Sequence, residues 1–102
     1  MQHSDNNIIN TAIESAFESP DGLAIGFANG WWLNIKNAYS YNAGPTESLV
    51  GKIILYIIES SDDINYILCD GTIITVDVTD EAFSGPEAVV MMGPSGNIVV
   101  FP

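Results

Sequence analysis

Past Gly22 the apolar residues of this chain recur at every second position, in runs of five to nine residues broken by Gly, Pro, Asn and Asp. A period of two is that of an extended strand, whose successive side chains point to opposite faces. Strands are therefore expected over 23–27, 31–37, 51–59, 64–69, 72–78, 87–92 and 97–101. Turns are expected at Ala28-Asn29-Gly30, Ser60-Ser61-Asp62-Asp63, Asp70-Gly71 and Gly93-Pro94-Ser95-Gly96, and a loop over 38–48. Asp80-Glu81-Ala82-Phe83 reads as one helical turn before Gly85-Pro86.

Ahead of this body the spacing differs. Ile8, Ile9, Ala12, Ile13, Ala16 and Phe17 fall on one stripe of a 3.6-residue period. The spacing predicts a helix over residues 5–18, capped by Ser4 or Asp5 and stopped by Ser19-Pro20-Asp21-Gly22. The expected fold class is α+β, a single domain over 1–102. One N-terminal helix packs on a curved, mainly antiparallel sheet of about six to seven strands (22–101). Two points stay open. Ile53 to Ile58 is apolar on both faces, so one face needs a cover from the first hairpin, from curling or from another protein. The hairpin at Asp70-Gly71 pairs Leu68 with Ile73 in a two-residue loop, or places Leu68 on the face of Ile74 in a bulged one.

Composition bounds function. Two lysines and no arginine stand against 13 acidic residues, a formal net charge of −11. Nucleic acid and anionic lipid are argued against as partners, because their phosphates are held by Lys and Arg. No run is long enough to span a bilayer, no secretory leader is visible, and Cys69 is the lone cysteine. A cytoplasmic chain is expected.

No catalytic constellation stands out, and no enzyme activity is expected. His3, the lone histidine, sits at the terminus. Cys69 has Asp70 beside it, which disfavours a thiolate. Asp62/Asp63 and Asp80/Glu81 are adjacent pairs in turns rather than carboxylates across a cleft. No calcium loop and no phosphate loop is spelled out, so no metal or other cofactor is expected.

The acidic residues crowd the second half, and −11 exceeds the roughly 2 to 8 charges that keep a small domain soluble. An acidic face of this kind steers and holds a basic partner. The candidate contact residues are Asp62, Asp63, Asp70, Asp77, Asp80 and Glu81, with Trp32 of the Trp31-Trp32 pair as aromatic anchor.

Leu49-Val50-Gly51-Lys52, Asp70-Gly71, Gly85-Pro86-Glu87-Ala88 and the ending Gly93-Pro94-x-Gly96-x-Ile98-Val99-Val100-Phe101 carry a resemblance. Over about residues 22–101 the chain resembles small bacterial domains found beside polymorphic toxins, similar to immunity proteins of contact-dependent growth inhibition systems. The resemblance implies an acidic, cytoplasmic, non-catalytic protein. It would bind one cognate toxin domain, such as a basic nuclease, one to one and neutralise it. Separately, the apolar second face permits but does not require a dimer, so a monomer or weak dimer is expected when free. Gly85, Pro86, Gly93 and Pro94 carry over as turn positions only, and no toxin-contacting residue carries over. Two other classes compete. One is an acidic nucleic-acid mimic that inhibits a DNA-binding defence enzyme. The other is a small-ligand module using clustered carboxylates and a metal.

Overall fold

The computed structural model describes residues 7–42, 44–79, 89–96 and 98–101. Among them are nine strands: β1 (Ile13–Ser19), β2 (Gly22–Phe27), β3 (Trp32–Ile35), β4 (Tyr39–Tyr41), β5 (Ile54–Glu59), β6 (Asp63–Leu68), β7 (Ile73–Asp77), β8 (Val89–Met92) and β9 (Ile98–Phe101). They form two antiparallel sheets, ordered β1-β2-β3-β8-β9 and β4-β7-β6-β5. The fold is mostly β, which overturns the expected N-terminal helix on a single curved sheet. No described helix is long and apolar enough to cross a membrane.

The correction at the N-terminus has a local cause. Four of the first described residues, Ile8, Ile9, Thr11 and Ile13, are β-branched and fit a pleated strand better than a helix. Asn10 sits at φ 65°, which ends any helical run there. Within β1 an irregularity in the ladder between Ile13 and Ser15 shifts the alternation, so Ile13 and Ala16 do not follow a simple period of two. Ile8 and Ile13 enter the core, while Phe17 points outward and is 58% exposed. Ser19-Pro20-Asp21-Gly22 closes a hairpin onto β2 rather than stopping a helix, with the Asp21 N–H donating to Ser19 Oγ. The proposed caps Ser4 and Asp5, and the helical turn over 80–83, lie outside the described residues.

The expected strands are otherwise found, with described ends moved by up to three residues; β2 and β6 each begin one residue earlier than expected, and residues 87, 88 and 97 lie outside the described residues. The 38–48 segment holds β4 and a 3-10 turn over Thr46–Leu49, which buries Leu49. Leu68 and Ile74 are both buried, and the Leu68 N–H donates to Thr72 O, so the hairpin takes the bulged form. Gly71 at φ 91° supplies the left-handed residue such a loop needs.

The core lies between the sheets. Leu23, Ile25, Leu33, Ile35, Val89 and Met91 come from the first sheet. Ile54, Ile64, Tyr66, Leu68, Ile74 and Val76 come from the second. Each such burial stabilises by about 1.5–3 kcal/mol before chain entropy is charged against it. The sheets also meet through backbone. Asn10 N–H donates to Ile54 O (2.9 Å), Ile13 N–H to Lys52 O (2.8 Å) and Gly51 N–H to Ile13 O (2.7 Å). At the other end of β1, Glu18 accepts from the Tyr39 hydroxyl (2.6 Å) and the Thr46 hydroxyl (2.7 Å). Thr46 in turn takes the Tyr41 hydroxyl at 2.8 Å. The Tyr39 bond, reinforced by Thr46, holds the Glu18 carboxyl below its ordinary range. Burial, with the Glu18 carboxylate alongside, pushes the Tyr39 hydroxyl up to about 12.

Gly22 is where β2 and the end of β3 come closest. It sits at φ 133°, and a Cβ on it would clash with the carbonyl oxygen of Ile35. Gly22→Ala is expected to destabilise the fold by at least about 2 kcal/mol, from the positive φ and the clash together. A urea unfolding curve checks it: a midpoint unchanged from the parent contradicts the reading.

Candidate acidic interface

Three of the sequence-selected carboxylates converge at one end of the second sheet. Asp62 and Asp63 close the β5–β6 turn, and Asp77 ends β7. The register sets Asp63 directly opposite Asp77. With Tyr39, Ser40, Thr75 and Thr79 they line an open cleft of about 600 Å³. Rigid strands hold them, and a polar network fixes their side chains. Asp63 Oδ1 accepts from Ser60 Oγ and Asn65 Nδ2, both at 3.0 Å, and Asn65 Oδ1 takes the Thr75 hydroxyl at 2.6 Å. Asp77 Oδ1 accepts from the Thr79 hydroxyl (2.7 Å) and N–H (2.9 Å), which together lower its carboxyl below the ordinary range. Behind it the buried Asn37 donates Nδ2 to Asp77 O at 2.9 Å, while Asn37 Oδ1 meets no partner among the described residues.

Two like charges directly opposite on neighbouring strands oppose pairing. Here the network satisfies one oxygen of each carboxylate and leaves no cation between them: among the described residues the ion pair is Lys52–Asp70. No described group of three or more His, Cys, Asp or Glu side chains is arranged to hold a metal ion.

Asp70 is elsewhere. It sits in the β6–β7 loop, at the opposite end of β6 from Asp63, with Lys52 Nζ at 2.9 Å and its Oδ1 accepting from the Thr72 N–H at 3.0 Å. The Thr72 hydroxyl, then Lys52, then the Thr72 N–H lower its carboxyl to about 2. Its charge is thus already matched. Asp80 and Glu81 lie outside the described residues, as does His3.

Trp32 lies on the outer face of the other sheet. Its indole covers Gly26, where a Cβ would come within 2.7 Å of the ring, and it stacks on Phe17 with centroids 6.3 Å apart. Met92 stands opposite Trp32, and Ile98 opposite Met92, extending an apolar ribbon to β9. Trp31 faces the other way, half-buried against the core and flat on Gly93. One flat interface therefore cannot use both Trp32 and the Asp63–Asp77 pair. The sequence reading does not single out Ser40, Thr75 or Thr79, and Tyr39 is not among its contact candidates. Their place in the cleft depends on β4 pairing with β7, which no local pattern announces. Exposed Cys69 ends up beside Asp70, away from the cleft.

No protein-family model, curated protein or solved structure matches the chain.

Because Asp70 is held at about 2 against an ordinary 3.8, its contact with Lys52 and Thr72 contributes fully at pH above about 4. That contribution fades as pH falls toward 2. Asp70→Asn is expected to flatten this part of the acid limb. Thermal melts of parent and variant between pH 2 and 5 check it, and parallel acid limbs would contradict the assignment.

Proposed function

We propose that this chain is a non-catalytic binding protein whose acidic cleft docks a basic protein partner. In the reading implied by its resemblance to immunity proteins, that partner is a cognate toxin domain, neutralised one to one in the cytoplasm. The observation that carries the proposal is the Asp63–Asp77 pair with Asp62 beside it. Like charges set opposite one another disfavour each other, and a partner's Lys or Arg placed against them would be matched by both carboxylates. The charge of the whole chain acts in the same direction, since −11 spread over a small body speeds encounter with a cation-rich surface. A reducing compartment suits the exposed, unpaired Cys69.

Tagged protein, purified from its host with the neighbouring reading frame co-expressed, is expected to bring down one basic domain in equal amount and to suppress its activity. The triple variant Asp62→Lys, Asp63→Lys, Asp77→Lys should weaken that complex by on the order of a hundredfold or more and flatten its salt dependence. The Asp62 carboxylate has no hydrogen-bond partner among the described residues, so Asp62→Lys alone should lower affinity without disturbing the network. Unchanged binding by a folded triple variant at low salt overturns the proposal. Capture of several unrelated DNA-binding proteins would point instead to a nucleic-acid mimic.

A further inference from the structure

β5 is an edge strand of the second sheet, and among the described residues only its beginning is covered. Ile9 and Ala12 bridge Ile54 and Ile53, and the Asn10 N–H takes Ile54 O. Beyond Ile54 no described strand pairs with that edge. The ladder says which groups are free. Ser60 N–H donates to Asp63 O across the hairpin. By alternation, Ile58 also turns its backbone toward β6, while Ile57 and Glu59 turn their N–H and C=O outward.

Edges are normally blunted by Lys, by Pro or by a bulge. Residues 55–58 contain no Lys and no Pro, and the irregularity in the ladder lies at the covered end, between Ile54 and Tyr56. Instead the edge is apolar: Tyr56 is 57% exposed and Ile58 56%. Its far end turns acidic through Glu59 and Asp62. Of the two cations, Lys52 is bonded to Asp70 and Lys36 follows β3 in the other sheet.

We infer that the open half of the β5 edge receives an extended segment of a basic protein partner as an added strand. Backbone pairs form at Ile57 and Glu59, apolar side chains lie over Tyr56 and Ile58, and a Lys or Arg sits at the end near Glu59 and Asp62. Strand addition of this kind draws affinity from main-chain hydrogen bonds and specificity from alternate side chains. A second copy of this chain fits worse, because it brings the same −11 charge to the contact. The inference rests on the docking proposal above and names how the partner is held.

The test uses the full chain, ¹⁵N-labelled, and a blocked octapeptide of two arginines followed by alternating valine and threonine. Saturating peptide is expected to slow hydrogen exchange at the Ile57 and Glu59 amides at least about tenfold. The same peptide with two glutamates in place of the arginines should bind at least about tenfold more weakly. Glu59→Pro removes an outward N–H and leaves the ladder bonds of Ile58 and Ser60, and it should weaken the arginine peptide at least about tenfold. Ile58→Lys should do the same, and it decides the matter if the proline variant does not fold. Absence of protection at Ile57 and Glu59, protection along β9 instead, or equal binding of the glutamate peptide overturns the inference. If the peptide fails while the triple Asp variant still loses its captured partner, strand addition falls and the docking proposal stands. If the peptide docks at β5 while capture ignores the three aspartates, the docking proposal falls.

Discussion

The structure depends on the seam where residues 10–13 hydrogen-bond to residues 51–54. These bonds fasten one edge of the five-stranded sheet to one edge of the four-stranded sheet, so that two apolar inner faces close over a single core. Without them each sheet would leave an apolar face in water, and neither is large enough to bury its own. The Glu18–Tyr39–Thr46 network holds the far end of β1 to the second sheet, and the buried Leu49 lies between the two fastenings. The same seam decides what β5 offers. Its first residue is taken by the incoming N-terminal segment, and no other described strand pairs with the remainder.

Closing the sheets creates two outer faces of different chemistry. The first carries the Phe17–Trp32–Met92–Ile98 ribbon, made flat by Gly26. The second grades from apolar Tyr56 and Ile58 to the carboxylates at the end of β6 and β7. Opposed aspartates are an uneconomical way to build a sheet end if stability alone is at stake. Ser60, Asn65, Thr75 and Thr79 are all engaged in keeping that pair in place. Asp70 shows the contrasting case: the same residue type, matched by Lys52 and Thr72, is a local structural contact.

The legible parts of the fold were those with local causes. Period-two apolar runs and Gly-containing turns mark strands wherever they occur, and β2, β3 and β5 to β9 were all readable in this way. The stripe from Ile8 to Phe17 misled because apolar doublets satisfy a helical period and a bulged strand equally well. Only pairing with β2 separates the two, and that pairing is a contact between segments. Residues 39–41 were unreadable as a strand because their partner, β7, lies more than thirty positions away. In the site, Asp62 and Asp63 were visible as neighbours, but Asp77 joins them through register alone. Asp70 and Trp32 were grouped with them by charge and by type, and the topology sends one to the other hairpin and the other to the opposite face.

Charge, the absence of arginine, and the positions of most strands and turns follow from the residues' own chemistry and short-range geometry. That residues 13–19 form a strand, that there are two sheets, and which carboxylates face one another emerge only when distant segments pair. Those outcomes turn on hydrogen-bond pairing between distant segments, where a slip of one residue exchanges the buried and exposed faces of a strand.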